Sequence, residues 1–258
     1  MRKLILPILV LLSFNVLAET PEEKGMAIAV RADKADSGWQ DMKSEMTMVL
    51  RNRQGNETSR TIRNRQLEVT GDGDKALSIF DSPNDVKGTA FLSHTHSQKA
   101  DDQWLYLPAL KRVKRIASNN KSGPFMGSEF AYEDITSQEV EKYTYKWLRD
   151  ETYSGHETHV VERYPTYKHS GYTKQVAWVD KERLQALKID FYDRKGKLLK
   201  TLEVHGLQQY IDKYWRPARM EMVNHVTKKS TTLNWSNYQF KNGYSNRDFD
   251  KNTLKRSR

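Results

Sequence analysis

Four histidines stand in pairs that invite a metal ion or a catalytic base. His94 and His96 flank Thr95, and His156-Glu157-Thr158-His159 sets two more three residues apart. A metalloprotease helix needs His-Glu-x-x-His, which puts both rings on one helical face; on a strand, positions 156 and 159 point to opposite faces. The chain contains no Cys, so thiolate zinc sites and disulfides are both excluded. Hydrolase chemistry lacks its frame: there is no Gly-x-Ser-x-Gly elbow, and neither Ser93-His94 nor Ser170-Gly171 sits in a recognisable setting. Glu129, Glu133 and Asp134 can pair with nearby lysines and arginines, and "GDGDK" at Gly71–Lys75 lacks the ligand series of a calcium loop and reads as a turn. The expectation is a non-enzymatic chain with no metal and no cofactor.

The remaining residues of interest are apolar or basic, and most lie between Asp101 and Ile135. Trp104 and Tyr106 share one face of a strand, Leu105 and Leu107 the other. The leucines suit the dry side, because Trp and Tyr tolerate a boundary with one wet end. After Pro108 come Lys111, Arg112, Lys114 and Arg115. On an extended strand these point both ways, which describes a rim in contact with solvent, lipid headgroups or a partner rather than a one-sided phosphate stripe. Nucleic acid is the reading with least support, as no RNA-binding motif is present. Four such residues near an anionic leaflet contribute about 1 kcal/mol each, enough for reversible contact.

Gly123-Pro124-Phe125-Met126-Gly127 sets two large apolar side chains between glycines. It is either a tight turn that tucks Phe125 into the core, or a lid whose Phe125 and Met126 cover a cavity until a ligand enters. Glycine supplies the hinge and Met adapts to irregular apolar shapes. Met42, Met46 and Met48 fall on one face of a strand and serve equally as core or as a soft cavity lining. Met42, Met46, Met48, Leu105, Leu107, Phe125 and Met126 are thus the candidate cavity and gate, and Lys111, Arg112, Lys114 and Arg115 the candidate rim.

The elements that position these residues are almost all strands. Thr20-Pro21-Glu22-Glu23 starts a helix with a capping box, running to about Lys34, with Ala27, Val30 and Ala35 as a narrow apolar stripe. From Trp39 the period becomes two, and short strands separated by turns follow to Tyr238, about a dozen in all. Asp248 to Arg256 reads as a short terminal helix. With no β-α rhythm and 37% apolar content, the expected fold is mainly β. It is an incomplete antiparallel β-barrel, one strongly curved sheet with an N-terminal helix and a helical or loop plug.

Residues 1–18 read as a cleaved secretory signal: Arg2 and Lys3, an apolar run from Leu4 to Val16, and small residues at Val16 and Ala18 for cleavage before Glu19. No Cys follows for lipid attachment, so the mature chain, residues 19–258, is expected as one soluble periplasmic domain. The formal net charge of +10 points weakly toward membrane surfaces or anionic polysaccharide and says nothing of fold.

Trp39 to Arg63, within "RADKADSGWQDMKSEMTMVLRNRQGNETSRTIR", together with "DQWLYLPALKRVKRIASNNKSGPFMGSEFAYEDI" and the closing "YSNRDFDKNTLKR", resembles the outer-membrane lipoprotein-sorting protein family of the LolA/LolB-like superfamily. The resemblance covers essentially the whole mature chain. It implies a half-open barrel around helices and loops, with an apolar cavity for acyl chains. It brings no catalytic residues, since the family has none established. Some members are encoded beside RND-type exporters of the inner membrane. The expected function is a periplasmic carrier or chaperone for a lipid or an acylated protein, with transient membrane contact. The alternative is an accessory subunit docked on an inner-membrane RND-type transporter, carrying no lipid of its own.

Overall fold

The computed structural model describes residues 18–256, so all of the expected signal segment but its last residue, Ala18, lies outside the described residues. Helix α1 (Pro21–Ala35) opens at the anticipated capping box: the Glu23 amide donates to Thr20 Oγ1 at 3.2 Å, and the Glu23 carboxylate accepts from the Thr20 amide at 2.8 Å. Its buried face differs from the expected stripe. Gly25 and Ile28 are buried, Ala29 and Ala32 half-buried, and Val30 is 48% exposed. These four positions follow the i, i+3, i+4, i+7 pattern of a packed face, centred on a glycine that apolarity alone does not reveal.

Fifteen strands follow among the described residues. The first six are β1 (Asp41–Arg51), β2 (Glu57–Leu67), β3 (Lys75–Ser82), β4 (Ala90–His94), β5 (Asp102–Leu107) and β6 (Arg112–Ile116). Next come β7 (Tyr143–Tyr153), β8 (His156–Pro165), β9 (Tyr172–Asp180), β10 (Ala186–Asp193) and β11 (Leu198–His205). The last are β12 (Gln208–Tyr210), β13 (Tyr214–Arg216), β14 (Arg219–Asn224) and β15 (Ser230–Phe240). Thirteen of them form a single sheet in the order β6-β5-β4-β3-β2-β1-β15-β14-β11-β10-β9-β8-β7, while β12 and β13 pair separately. Every pairing is antiparallel. The two halves are joined where β1 meets β15, with Met46 opposite Trp235 and Met48 opposite Leu233. Strands β6 and β7 are the two edges and do not pair, so the barrel stays open.

One core cluster gathers Leu105 from β5, Met46 and Met48 from β1, Met222 from β14, Leu202 from β11 and Phe191 from β10. Side chains from strands so far apart in the sheet order can share a cluster only because the sheet wraps round them. The segment between β6 and β7 turns into this concavity and fills it as the expected plug. The outer face is not uniformly wet. The anticipated C-terminal helix is instead two 3₁₀ segments, Asn246–Phe249 and Lys251–Arg256, whose Phe249 and Leu254 bury against Leu77, Ile79 and Leu92 on the outside of β3 and β4. Among the described residues no helix is long and apolar enough to cross a membrane.

Candidate functional site

The plug occupies the middle of the concavity. Phe125 is 2% exposed and sits among Phe80, Phe91 and Tyr132, with ring centroids 6.0, 5.2 and 5.4 Å away. Its amide donates to the Phe130 carbonyl at 2.7 Å, closing a small loop. Met126, in the left-handed region at φ 49°, is half-buried and held by the Arg60 guanidinium, which donates to its carbonyl. Met46, Met48 and Leu105 belong to the same core, with Leu107 packed against it, whereas Trp104 and Tyr106 face the C-terminal segment on the outside. Met42 stands apart with Trp39 and Tyr214. The structure therefore brings six of the seven candidate cavity residues, all but Met42, into one packed centre.

Charge locks the plug in place. Lys200 points inward from β11 and pairs with Asp134 at 2.6 Å, both side chains at most 5% exposed. Asp134 also accepts from Tyr172 Oη at 2.8 Å and from the Ala131 amide at 2.6 Å, while Lys200 donates to the Glu129 carbonyl at 2.8 Å. Asn224 donates to the Glu129 carboxylate at 2.7 Å. Glu133 accepts from the Gly171 amide, Tyr167 Oη and Ser170 Oγ at 2.8 to 2.9 Å, and Asp101 is buried between Lys121 and Lys142.

The open space lies at one end of the sheet, under α1. A cavity of about 1190 Å³ is bounded by the C-terminal half of α1, the β2–β3 turn, the end of the plug and the inner faces of β7 to β9. Ile28 and Ala32 on the helix and Val161, Ala177 and Val179 on the sheet give it an apolar side. None of the seven candidate cavity residues lines it. Its volume slightly exceeds the range of about 300–1,000 Å³ typical of small-molecule sites. The helix wall is fixed by close contact with β7: Lys24 Nζ lies 3.4 Å from the centre of the Trp147 ring, and Gly25 faces the bare backbone of Lys146 and Trp147.

The other side of the cavity is acidic. Asp33 comes from α1 and Asp36 from its C-cap, Glu68, Asp72 and Asp74 from the β2–β3 region, and Glu139 and Glu141 from the plug. Arg163 is the single cation among the lining residues; it donates to Gln175 Oε1 at 2.5 Å and stands over the Tyr143 ring. Burial, then the charges of Asp74, Asp33 and Glu141, push the Glu139 carboxyl up to about 7 from its ordinary 4.5. Burial pushes Asp74 up to about 6, against hydrogen bonds from the Val69 amide and Ser137.

A raised carboxyl makes the folded chain hold its proton more tightly than the unfolded one. Stability tied to Glu139 therefore falls as pH rises from about 4.5 through about 7. Glu139→Gln removes that loss. It should be more stable than the parent by about 1–2 kcal/mol at pH 8, allowing for solvent screening, and equal to it near pH 4. Urea midpoints measured at both pH values check this; an equal gain at both would show that charge is not the cause.

The histidines are held in pairwise contacts: His94 with the Phe249 carbonyl at 2.7 Å, His96 between Asp72 and Asp102, His156 with Arg183, and His159 with Asp150. Lys111, just before the edge strand β6, and Arg112, Lys114 and Arg115 along it are all exposed, and Arg115 pairs with Asp102. Of the cavity carboxylates the sequence singles out only Asp72 and Asp74, in the GDGDK segment that reads as a turn. The one local sign of the set was acidic spacing of two or three residues in separate segments of a basic chain.

The half-open antiparallel barrel with its plugged centre is a fold shared with solved proteins. A family model described as an uncharacterized protein matches residues 72–256. A solved domain named for outer membrane lipoprotein sorting, from Vibrio parahaemolyticus, is 57% identical, with a TM-score of 0.89 over 91% of this chain and 99% of that one. A DUF1329 family protein from Desulfovibrio piger is 32% identical, with a TM-score of 0.86 over 91% of this chain and 99% of that one. A LolA superfamily protein from Nitrosomonas europaea, 19% identical, shares the fold with a TM-score of 0.71 over 88% of this chain and 98% of that one. None of the curated proteins matches. The chain belongs to the family of the outer membrane lipoprotein-sorting protein domain, and it shares its fold with the LolA superfamily protein.

Proposed function

We propose that this chain is a periplasmic carrier that shields the tail of a lipid or an acylated protein in the cavity beneath α1. The observation that carries the reading is the open volume of about 1190 Å³ with an apolar wall, in a family named for lipoprotein sorting. Each methylene moved out of water is worth about 0.8 kcal/mol, so a sixteen-carbon tail in water is disfavoured by about 12 kcal/mol; a carrier must supply a dry surface of this kind. The packed centre around Phe125 serves as the floor, and the basic β6 edge as a site of weak membrane contact. Chain purified without detergent should retain lipid detectable by native mass spectrometry and extraction, and should take up an environment-sensitive amphiphile. Ala32→Trp, which projects an indole from the helix wall into the space, should lower that uptake. A chain that is always empty and takes up no amphiphile of any head group rules the reading out.

A further inference from the structure

The charge around the cavity is opposite to that of the molecule. The chain carries a formal net charge of +10, yet the lining holds eight carboxylates and a single guanidinium. Several of the eight have a local partner. Asp36 pairs with Arg216 at 2.6 Å and Asp72 with His96 at 2.6 Å, Glu68 accepts from the Gly38 and Gln40 amides, and Asp41 from the Asn242 and Gly243 amides. Asp33, Glu139 and Glu141 have no ion pair and no hydrogen bond to their carboxylates among the described residues.

The backbone is shaped to bring these groups close. A Cβ placed on Gly73 would fall 2.8 Å from Glu139 Oε1 and 2.6 Å from the Thr95 carbonyl carbon. Only glycine lets the β2–β3 turn close so tightly on the plug. Next to this contact, outside the cavity lining, Thr95 is 1% exposed and its amide donates to the Asp74 carbonyl at 2.9 Å. The opposite wall is apolar, formed by Val161, Ala177 and Val179.

Carboxylates crowded beside an apolar wall suit a ligand that is cationic at one end and greasy along the rest. We infer that the cavity takes an amphiphile whose head carries a primary ammonium group, seated among Glu139, Asp33 and Asp74 with its tail along the sheet wall. The inference rests on the carrier reading and names the head group that reading leaves open. Burial first, then neighbouring carboxylates, push the Glu139 and Asp74 carboxyls upward, and a cationic head seated among them would favour their ionised forms. Two sources share this chemistry, an ethanolamine phospholipid and an acylated peptide with a free α-amino group.

The test uses probes with one tail and different heads, at pH 8 and below their micellar concentrations, against the detergent-free chain by isothermal calorimetry. Dodecylamine should bind about tenfold or more tightly than dodecanoate, and Asp33→Asn/Glu139→Gln should bring the ratio close to one. Preference for lysophosphatidylethanolamine over lysophosphatidylglycerol assigns the ammonium to a phospholipid head. Preference for a diacyl lipopeptide with a free α-amino group over its N-acylated form assigns it to a lipopeptide. Equal binding of amine and carboxylate, tighter binding of the carboxylate, or a preference untouched by the double variant overturns the inference while leaving the carrier in place. If no probe binds at all, the carrier reading fails first.

Discussion

Lys200→Met lowers the unfolding free energy by about 3–5 kcal/mol, the usual result of removing one partner of a buried ion pair and leaving the other charge in place. Lys200 occupies an inward position on β11, in register with Leu202 and Val204, both of which pack in or against the main core. Its ammonium is the counter-charge to Asp134 and also ties down the Glu129 carbonyl. Methionine keeps most of the volume and removes the charge, so a cavity cannot account for the loss. Asp134 would then face the Tyr172 hydroxyl and the Ala131 amide with no cation. Asp134→Asn in the same chain removes the uncompensated charge and should recover more than half of the loss, giving a coupling energy that a double-mutant cycle reads directly. Urea unfolding of the parent, both single variants and the double measures it. A Lys200→Met loss below about 1 kcal/mol, or strict additivity with Asp134→Asn, would mean that the plug is held by its apolar contacts alone.

The same residue marks the limit of what the sequence reveals. Period-two patterning identifies the strand, and where the inward residues are apolar it identifies their face as well: Met46 and Met48 go in, and Leu105 goes in while Trp104 goes out. A lysine at an inward position gives the opposite sign, because its pairing depends on an aspartate 66 residues away. The hairpin of β12 and β13 was hidden for a local reason. Its turn places Ile211 and Asp212 at φ of 43° and 56°, where a sequence would normally advertise Gly or Asn. The place of the cavity and its acidic side are the largest omission. Asp33 and Asp36, Asp72 and Asp74, and Glu139 and Glu141 each read as an ordinary solvated turn or helix end. They meet only because the plug, the β2–β3 turn and α1 converge at one end of the sheet, a consequence of topology that no local pattern encodes.

Gly25→Val should detach α1 from the sheet, at a cost of about 2–3 kcal/mol. The distances permit little else. A Cβ at this position would lie 2.7 Å from the Trp147 amide nitrogen, 2.8 Å from the Lys146 nitrogen and 2.9 Å from the Lys146 carbonyl carbon. All three are backbone atoms of β7, held by its pairing with β8, so no flexible side chain can yield. The helix must lift, taking Ile28 from its place beside Tyr143, Tyr145 and Val161. Hydrogen exchange should then show protection lost across Pro21–Ala35 and kept in β8 to β11, whereas Met26→Ala, at a site 38% exposed, should change neither. Because α1 is one wall of the cavity, the loosened helix also widens its opening, and a bound amphiphile should dissociate faster from Gly25→Val than from Met26→Ala. Full protection of α1 in the valine variant would mean that the helix finds a second seat on β7, and that the glycine contact does not set the width of the cavity.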